Sequence, residues 1–208
     1  MSRKPDWDSR YAAVPDGLFG RRENAFLAMA CAAGPEQSKR ALCLADGDGR
    51  NGRWLATRGF DVVAVDISAV ATGNAERMDA EAGVTVDRRV CDLEQGLPDD
   101  LAHFDLVALI YLQAPWAVRR QAILSGFEAL KPGGMLVVEA FAKWPCDEMR
   151  GKAPLGPDAE YLRYSTGEFG ELALPGTCER CETCEIDLDE GVRHQGRAFV
   201  LRALIRKV

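Results

Sequence analysis

No apolar run in the 208 residues approaches the roughly 20 needed to cross a bilayer. The longest, residues 106–112, is short enough to be a buried strand, and no membrane partner is expected. Residues 1–8 are polar and lack the apolar stretch of a secretory signal. Seven cysteines make an odd count, four of them scattered singly, which suits reduced thiols and a cytoplasmic setting better than a disulfide framework. Excess positive charge is missing too: 26 basic against 32 acidic residues leave a net charge of −6. That balance argues against nucleic acid as a main partner and favours a small-molecule substrate. Internal repeats and low-complexity tracts are absent, and nothing in the pattern marks an oligomeric state.

What is present is an ordinary globular balance, 47% apolar and 28% charged, in a length that fits one α/β domain over 1–208. Strand-like runs at 41–45, 62–65, 84–90, 104–111 and 135–141 alternate with helix-like segments at 51–58, 68–82 and 116–130; a further helix is expected at 20–33. Such a march predicts a doubly wound, mostly parallel sheet of Rossmann-like type. Residues 143–160 are rich in Pro and Gly, and an irregular excursion is expected over 143–175. Two strands, 185–188 and 198–205, follow with a turn at 190–196 between them. Without an intervening helix they should pair antiparallel and close the sheet.

Gly47-x-Gly49-x-x-Gly52 follows the first strand and opens a helix, and Asp66 ends the next strand. This is the pattern of a nucleoside-cofactor site, with the carboxylate placed for two ribose hydroxyls. An ordinary tight turn is the competing explanation. Charge selects the cofactor. Asp46 and Asp48 flank Gly47, and a carboxylate about 4 Å from a pyrophosphate costs roughly 4 kcal/mol at an effective dielectric near 20. A sulfonium and an α-ammonium would instead be attracted, which favours S-adenosylmethionine (SAM) over NAD(P). An NAD(P)-dependent reductase built on the same loop, and a SAM-binding protein without turnover, are the alternatives. Asp92 and Leu93 end the third strand, where they would meet an adenine or, for Asp92, cap the next segment.

Methyl transfer is an in-line displacement that needs alignment and exclusion of water, with a general base only for a protonated acceptor. His194 is the candidate catalytic base; a His in a polar turn can equally be incidental. Tyr111 and Gln113 are expected to shape the acceptor pocket. Cys178-x-x-Cys181-x-x-Cys184 lacks a fourth ligand for zinc, and on a regular strand Cys181 would point away from its two neighbours. No metal is expected there.

The residues 41–51 (ALCLADGDGRN), 63–68 (VAVDIS), 91–93 (CDL) and 130–134 (LKPGG) resemble the successive motifs of class I SAM-dependent methyltransferases. Trp7, Arg10-Tyr11, Gly20, Asn24-Ala-Phe-Leu27, Glu190-Gly191 and His194 resemble the tellurite-resistance (TehB-type) branch, related to thiopurine methyltransferases. Cys43 and Ala45 depart from that pattern, standing where the family has an acid and the loop's first Gly; Gln195 replaces an Arg seen in some relatives. The resemblance implies SAM as donor and S-adenosylhomocysteine as product. Its cofactor contacts would be Arg10, Tyr11, Asp46, Gly47, Gly49, Asn51, Asp66, Ile67, Asp92 and Leu93, and residues 1–35 would form a lid. Asp46 would take over the acid's hold on the cofactor's amino group.

Overall fold

The computed structural model describes residues 6–32, 39–191 and 193–208. Seven strands form one sheet: β1 (Arg40–Leu44), β2 (Asp61–Asp66), β3 (Asp87–Val90), β4 (Phe104–Ile110), β5 (Leu130–Phe141), β6 (Gly176–Gly191) and β7 (His194–Lys207). Their order is β3-β2-β1-β4-β5-β7-β6. The first five run parallel, while β7 is antiparallel to both β5 and β6. The expected architecture is therefore the observed one.

Among the described residues, seven α-helices accompany the sheet: α1 (Trp7–Ala13), α2 (Ala25–Ala30), α3 (Arg50–Thr57), α4 (Ala69–Ala82), α5 (Trp116–Glu128), α6 (Asp147–Lys152) and α7 (Thr166–Glu171). Alternation along β1 divides the core. Leu42 and Leu44 face one cluster with Ile123, Phe127, Leu136 and Phe199, whereas Ala41 and Cys43 face another with Phe26, Leu27 and Leu55.

Three sequence-based boundaries are corrected. The helix expected at 20–33 is only α2, because Asn24 caps it through the Leu27 N–H and Cys31 ends it; residue 33 lies outside the described residues. Lys131-Pro-Gly-Gly134 does not precede β5 but lies within it. The terminal strands are far longer than expected. Residues 190–196 are mostly strand, and the reversal lies between Gly191 and His194, which pair directly. Alternation of exposed Asp187 and Asp189 with buried Leu188 and Glu190 keeps β6 extended into the region taken for a turn.

Candidate functional site

Strand order reverses between β1 and β4, and the carboxyl ends of these strands are where an α/β sheet binds ligands. β1 leads there into Ala45–Gly49. Ala45 and Gly47 take positive φ of 53° and 57°, and Gly49, at 86°, is the N-cap of α3. The turn is tied down by the Asp46 N–H on the Val65 carbonyl (3.1 Å) and the Gly47 N–H on Asp66 Oδ2 (2.8 Å). The other Asp66 oxygen accepts from the Ser68 N–H at 2.9 Å.

Three buried carboxylates crowd this turn. Asp66 is pushed up from 3.8 to about 6 by burial first, offset by its two backbone hydrogen bonds, and raised further by Asp46 and Asp48. Burial also raises Asp46 and Asp48. Over them lies the N-terminal segment. A Cβ on Gly47 would stand 2.3 Å from the Tyr11 hydroxyl. Asp48 faces inward rather than to water, accepting from the Leu18 N–H at 2.7 Å. Asp8 holds the start of α4 through Ser68 Oγ (2.6 Å) and the Val70 N–H (3.2 Å). The space under the turn, between Asp46, Gly47, Asp66, Thr72 and Arg88, has no room for a water molecule. Ligand sites of drug-like size start near 300 Å³, so Tyr11 and Leu18 cover the turn in a closed arrangement.

Asp46, expected to hold the cofactor's amino group, has partners within the protein. Its carboxylate accepts from the Gly52 N–H (3.2 Å), capping α3, and pairs with Arg88 (3.0 Å), whose guanidinium also holds Asp79 of α4. That leaves Asp46 as a strut between β1, β3 and two helices. Asp48 and Asp66 are the carboxylates left to face a cation. Asn51 accepts from the Asn24 N–H at 2.9 Å, joining α3 to α2. Asp92 caps a 3-10 turn at Leu93–Gln95 through the Glu94 N–H, and Leu93 is buried under α5; Ile67 is exposed, next to Asp66, whose carbonyl accepts from the Cys91 N–H at 2.8 Å. Arg10 is exposed and stacks 4.8 Å from the Trp7 ring.

Where the candidate base was expected, His194 is buried among three aromatics: Tyr111 at 4.5 Å, Phe19 at 4.9 Å and Phe141 at 5.5 Å between ring centroids. Its Nδ1 lies 3.5 Å from Glu190. Glu190 also pairs with Arg50 of α3 (2.8 Å) and accepts from Asn24 Nδ2 (2.9 Å). The Tyr111 hydroxyl donates to Glu139 (2.8 Å), which pairs in turn with Arg202 (2.6 Å). Burial, then Glu139 and Glu190, push the Tyr111 phenol well above its usual range, so it stays protonated. Gln113 Nε2 donates to the Leu162 carbonyl at 3.1 Å and the Phe141 carbonyl at 3.5 Å, and its buried Oε1 has no partner.

The structure thus gathers Tyr11, Gly47, Asp48, Asp66, Tyr111 and His194 around one end of the sheet, linked by Phe19, whose ring lies 6.3 Å from Tyr11. Sequence reasoning missed Arg50, Glu139 and the connecting role of Glu190. Glu139 carried a usable signal, as a lone carboxylate in the apolar run 135–141.

Against known proteins, residues 41–134 match the family model described as a methyltransferase domain. The match covers 94 of the 208 residues. No curated protein sequence matches the chain. Among solved structures, it is similar to a protein studied for the conversion of a disulfide bond into a thioacetal group during echinomycin biosynthesis (TM-score 0.74, 18% identity, 97% of this chain and 90% of that one). TehB from Haemophilus influenzae gives a TM-score of 0.71 at 15% identity, over 93% of this chain and 67% of that one. The N-methyltransferase NodS from Bradyrhizobium japonicum, solved with S-adenosylhomocysteine, gives 0.63 at 18%, over 88% and 83%. These likenesses are of fold, and SAM is the cofactor the sequence leads one to expect. The donor set fits it: buried Asp48 and Asp66 meet a cationic ligand with attraction, and a phosphate would meet repulsion.

Proposed function

We propose that the methyltransferase domain spans 1–208 and moves a methyl group from SAM to a small-molecule nucleophile by in-line displacement, with residues 6–32 as its lid; the rest of the expected lid, 1–5 and 33–35, lies outside the described residues. The excursion over 143–175 would border the acceptor side. The single observation that carries this reading is the crowding of Asp48 and Asp66 around the Gly47 turn, an arrangement that a cation relieves. SAM supplies an activated methyl on a sulfonium, so the residues need mainly to bind, orient and exclude water. Asp66 would take the ribose, Asp48 and Tyr11 the cationic end, Asp92 and Leu93 the adenine side. Gly49, Asn51 and Ile67 would frame the pocket, with Arg10 near its mouth. His194, held by Glu190 and walled by Phe19, Tyr111 and Phe141, is the group to accept a proton from the acceptor.

The TehB-type affinity is part of this proposal. It is supported by the meeting of that branch's two end motifs: a Cβ on Gly20 would fall 1.5 Å from the Glu190 carbonyl oxygen, and Asn24 holds Glu190 directly. A cytoplasmic setting accords with seven cysteines that are all free thiols. No helix among the described residues is long and apolar enough to cross a membrane.

Thermal unfolding with SAM, S-adenosylhomocysteine and NAD(P)H tests the reading. The first two should raise stability by about 2.7 kcal/mol at a hundredfold excess over Kd. Stabilisation by NAD(P)H alone would overturn it. Release of S-adenosylhomocysteine with a panel of small oxygen, nitrogen and sulfur nucleophiles then identifies the acceptor, and His194→Ala should lower that release while leaving cofactor binding unchanged.

A further inference from the structure

The three cysteines of β6 lie on the outermost strand of the sheet, near the end remote from Glu190. A regular strand would turn Cys181 away from Cys178, but an irregularity between Cys178 and Arg180 corrects that expectation. Cys178 stands opposite Ile205 and Cys181 opposite Ala203. Ile205 and Ala203 are two apart on β7 and belong to the same core cluster, so the two thiols share a face.

Contacts on the other face agree. The residues between the cysteines point there: Glu179 pairs with Arg206, and the Arg180 guanidinium lies 6.0 Å from the Phe26 ring. Cys184, opposite Val200, falls in with Leu188 and Ala198 instead. Cys178 is exposed and Cys181 is half-buried beside it.

We propose that Cys178 and Cys181 form a two-thiol site for a trivalent thiophilic metalloid, such as an arsenic(III) hydroxide or an organoarsenical. The spacing favours a bridging atom. Two positions along an antiparallel strand span about 6.8 Å, the upper edge of the Cα separation a direct disulfide tolerates. An atom bonded to both sulfurs lengthens the bridge and needs no movement of the backbone.

Protonation points the same way. Burial, with Cys178 alongside, pushes the Cys181 thiol up, so it remains protonated at neutral pH. A divalent cation would have to displace its proton into solvent. A metalloid hydroxide instead takes each thiol proton onto its own leaving hydroxyl. Two S–As bonds form, two As–O bonds break, two waters leave, and arsenic stays trivalent without electron transfer. Zinc is a poorer fit, since no group of three or more ligating side chains occurs among the described residues.

Phenylarsine oxide is the probe: its As=O oxygen takes both thiol protons and departs as one water. Intact-mass spectrometry of the full chain should show one adduct that survives excess 2-mercaptoethanol and is removed by 2,3-dimercaptopropanol. Cys178→Ser and Cys181→Ser should each weaken retention by roughly 100-fold or more, the loss expected when a chelate becomes a single bond. Cys184→Ser and Cys146→Ser should behave as wild type, and unchanged circular dichroism of each variant shows that it folds. Equal retention by Cys178→Ser, loss in Cys184→Ser, or no monothiol-resistant adduct on the wild type would each overturn the site. Neither cysteine touches the cofactor turn, so SAM binding is read independently.

Discussion

Asp66 sits where burial and two neighbouring carboxylates hold its folded pKa near 6, above its ordinary 3.8. Between about pH 4 and 6 the folded, unliganded protein therefore binds more protons than the unfolded chain, and its stability falls as pH rises through that window. A cationic cofactor prefers the ionised form, so SAM affinity should fall below pH 6 by up to tenfold per unit. Calorimetric titrations from pH 5 to 8 check this; in Asp66→Asn both dependences should flatten. Ala45 is a second residue with a readable consequence. It holds φ at 53° with a Cβ, in a region that costs an L-residue about 1 kcal/mol or more. Ala45→Gly should raise Tm by about 2–4 °C, and an unchanged or lower melting point would show that the entropy of the new glycine outweighs the relief.

At the level of elements, the terminal hairpin brings His194 into the site by pressing its reversal against the N-terminal segment. Gly191, at φ 155°, lies so close to that segment that a Cβ would stand 2.5 Å from the Gly20 nitrogen. Backbone cannot yield as a side chain does, so Gly191→Ala should cost about 1–3 kcal/mol. Hydrogen exchange should rise in residues 17–24 and around Glu190, while the amides of β1 and β4 stay protected; uniform loosening would argue against a local seam. The strands β1, β2, β4 and β5 were legible in the sequence because each is a short apolar run ended by polar or Gly residues. The hairpin's length was not, because on β6 the buried partners are interspersed with Glu, Arg and Cys, and only pairing with β7 keeps them extended.

Over the whole molecule, the turn after β1 was legible from Gly47, Gly49 and Asp66, since local backbone demands fix those types. Arg50, Glu139 and Glu190 escaped notice because their partners lie far along the chain, as with Asn24 and Glu190, 166 residues apart. The same distance explains Asp46: its sequence position suggested a ligand contact, whereas Arg88 on β3 claims it. The core likewise depends on distant segments. A chain truncated before His194 should partition to the insoluble fraction, because β5 would keep an open apolar edge; recovery of a soluble, cooperatively melting fragment would contradict this.

β7 is made after β6 yet lies between it and β5. During synthesis, then, β6 emerges with no neighbour to join, and the sheet waits with a gap that only the following arm can fill. Every contact that seats His194 beside Tyr111 dates from that final insertion. The turn after β1 needs no part of β7, whereas the pocket around His194 cannot form before β7 is made.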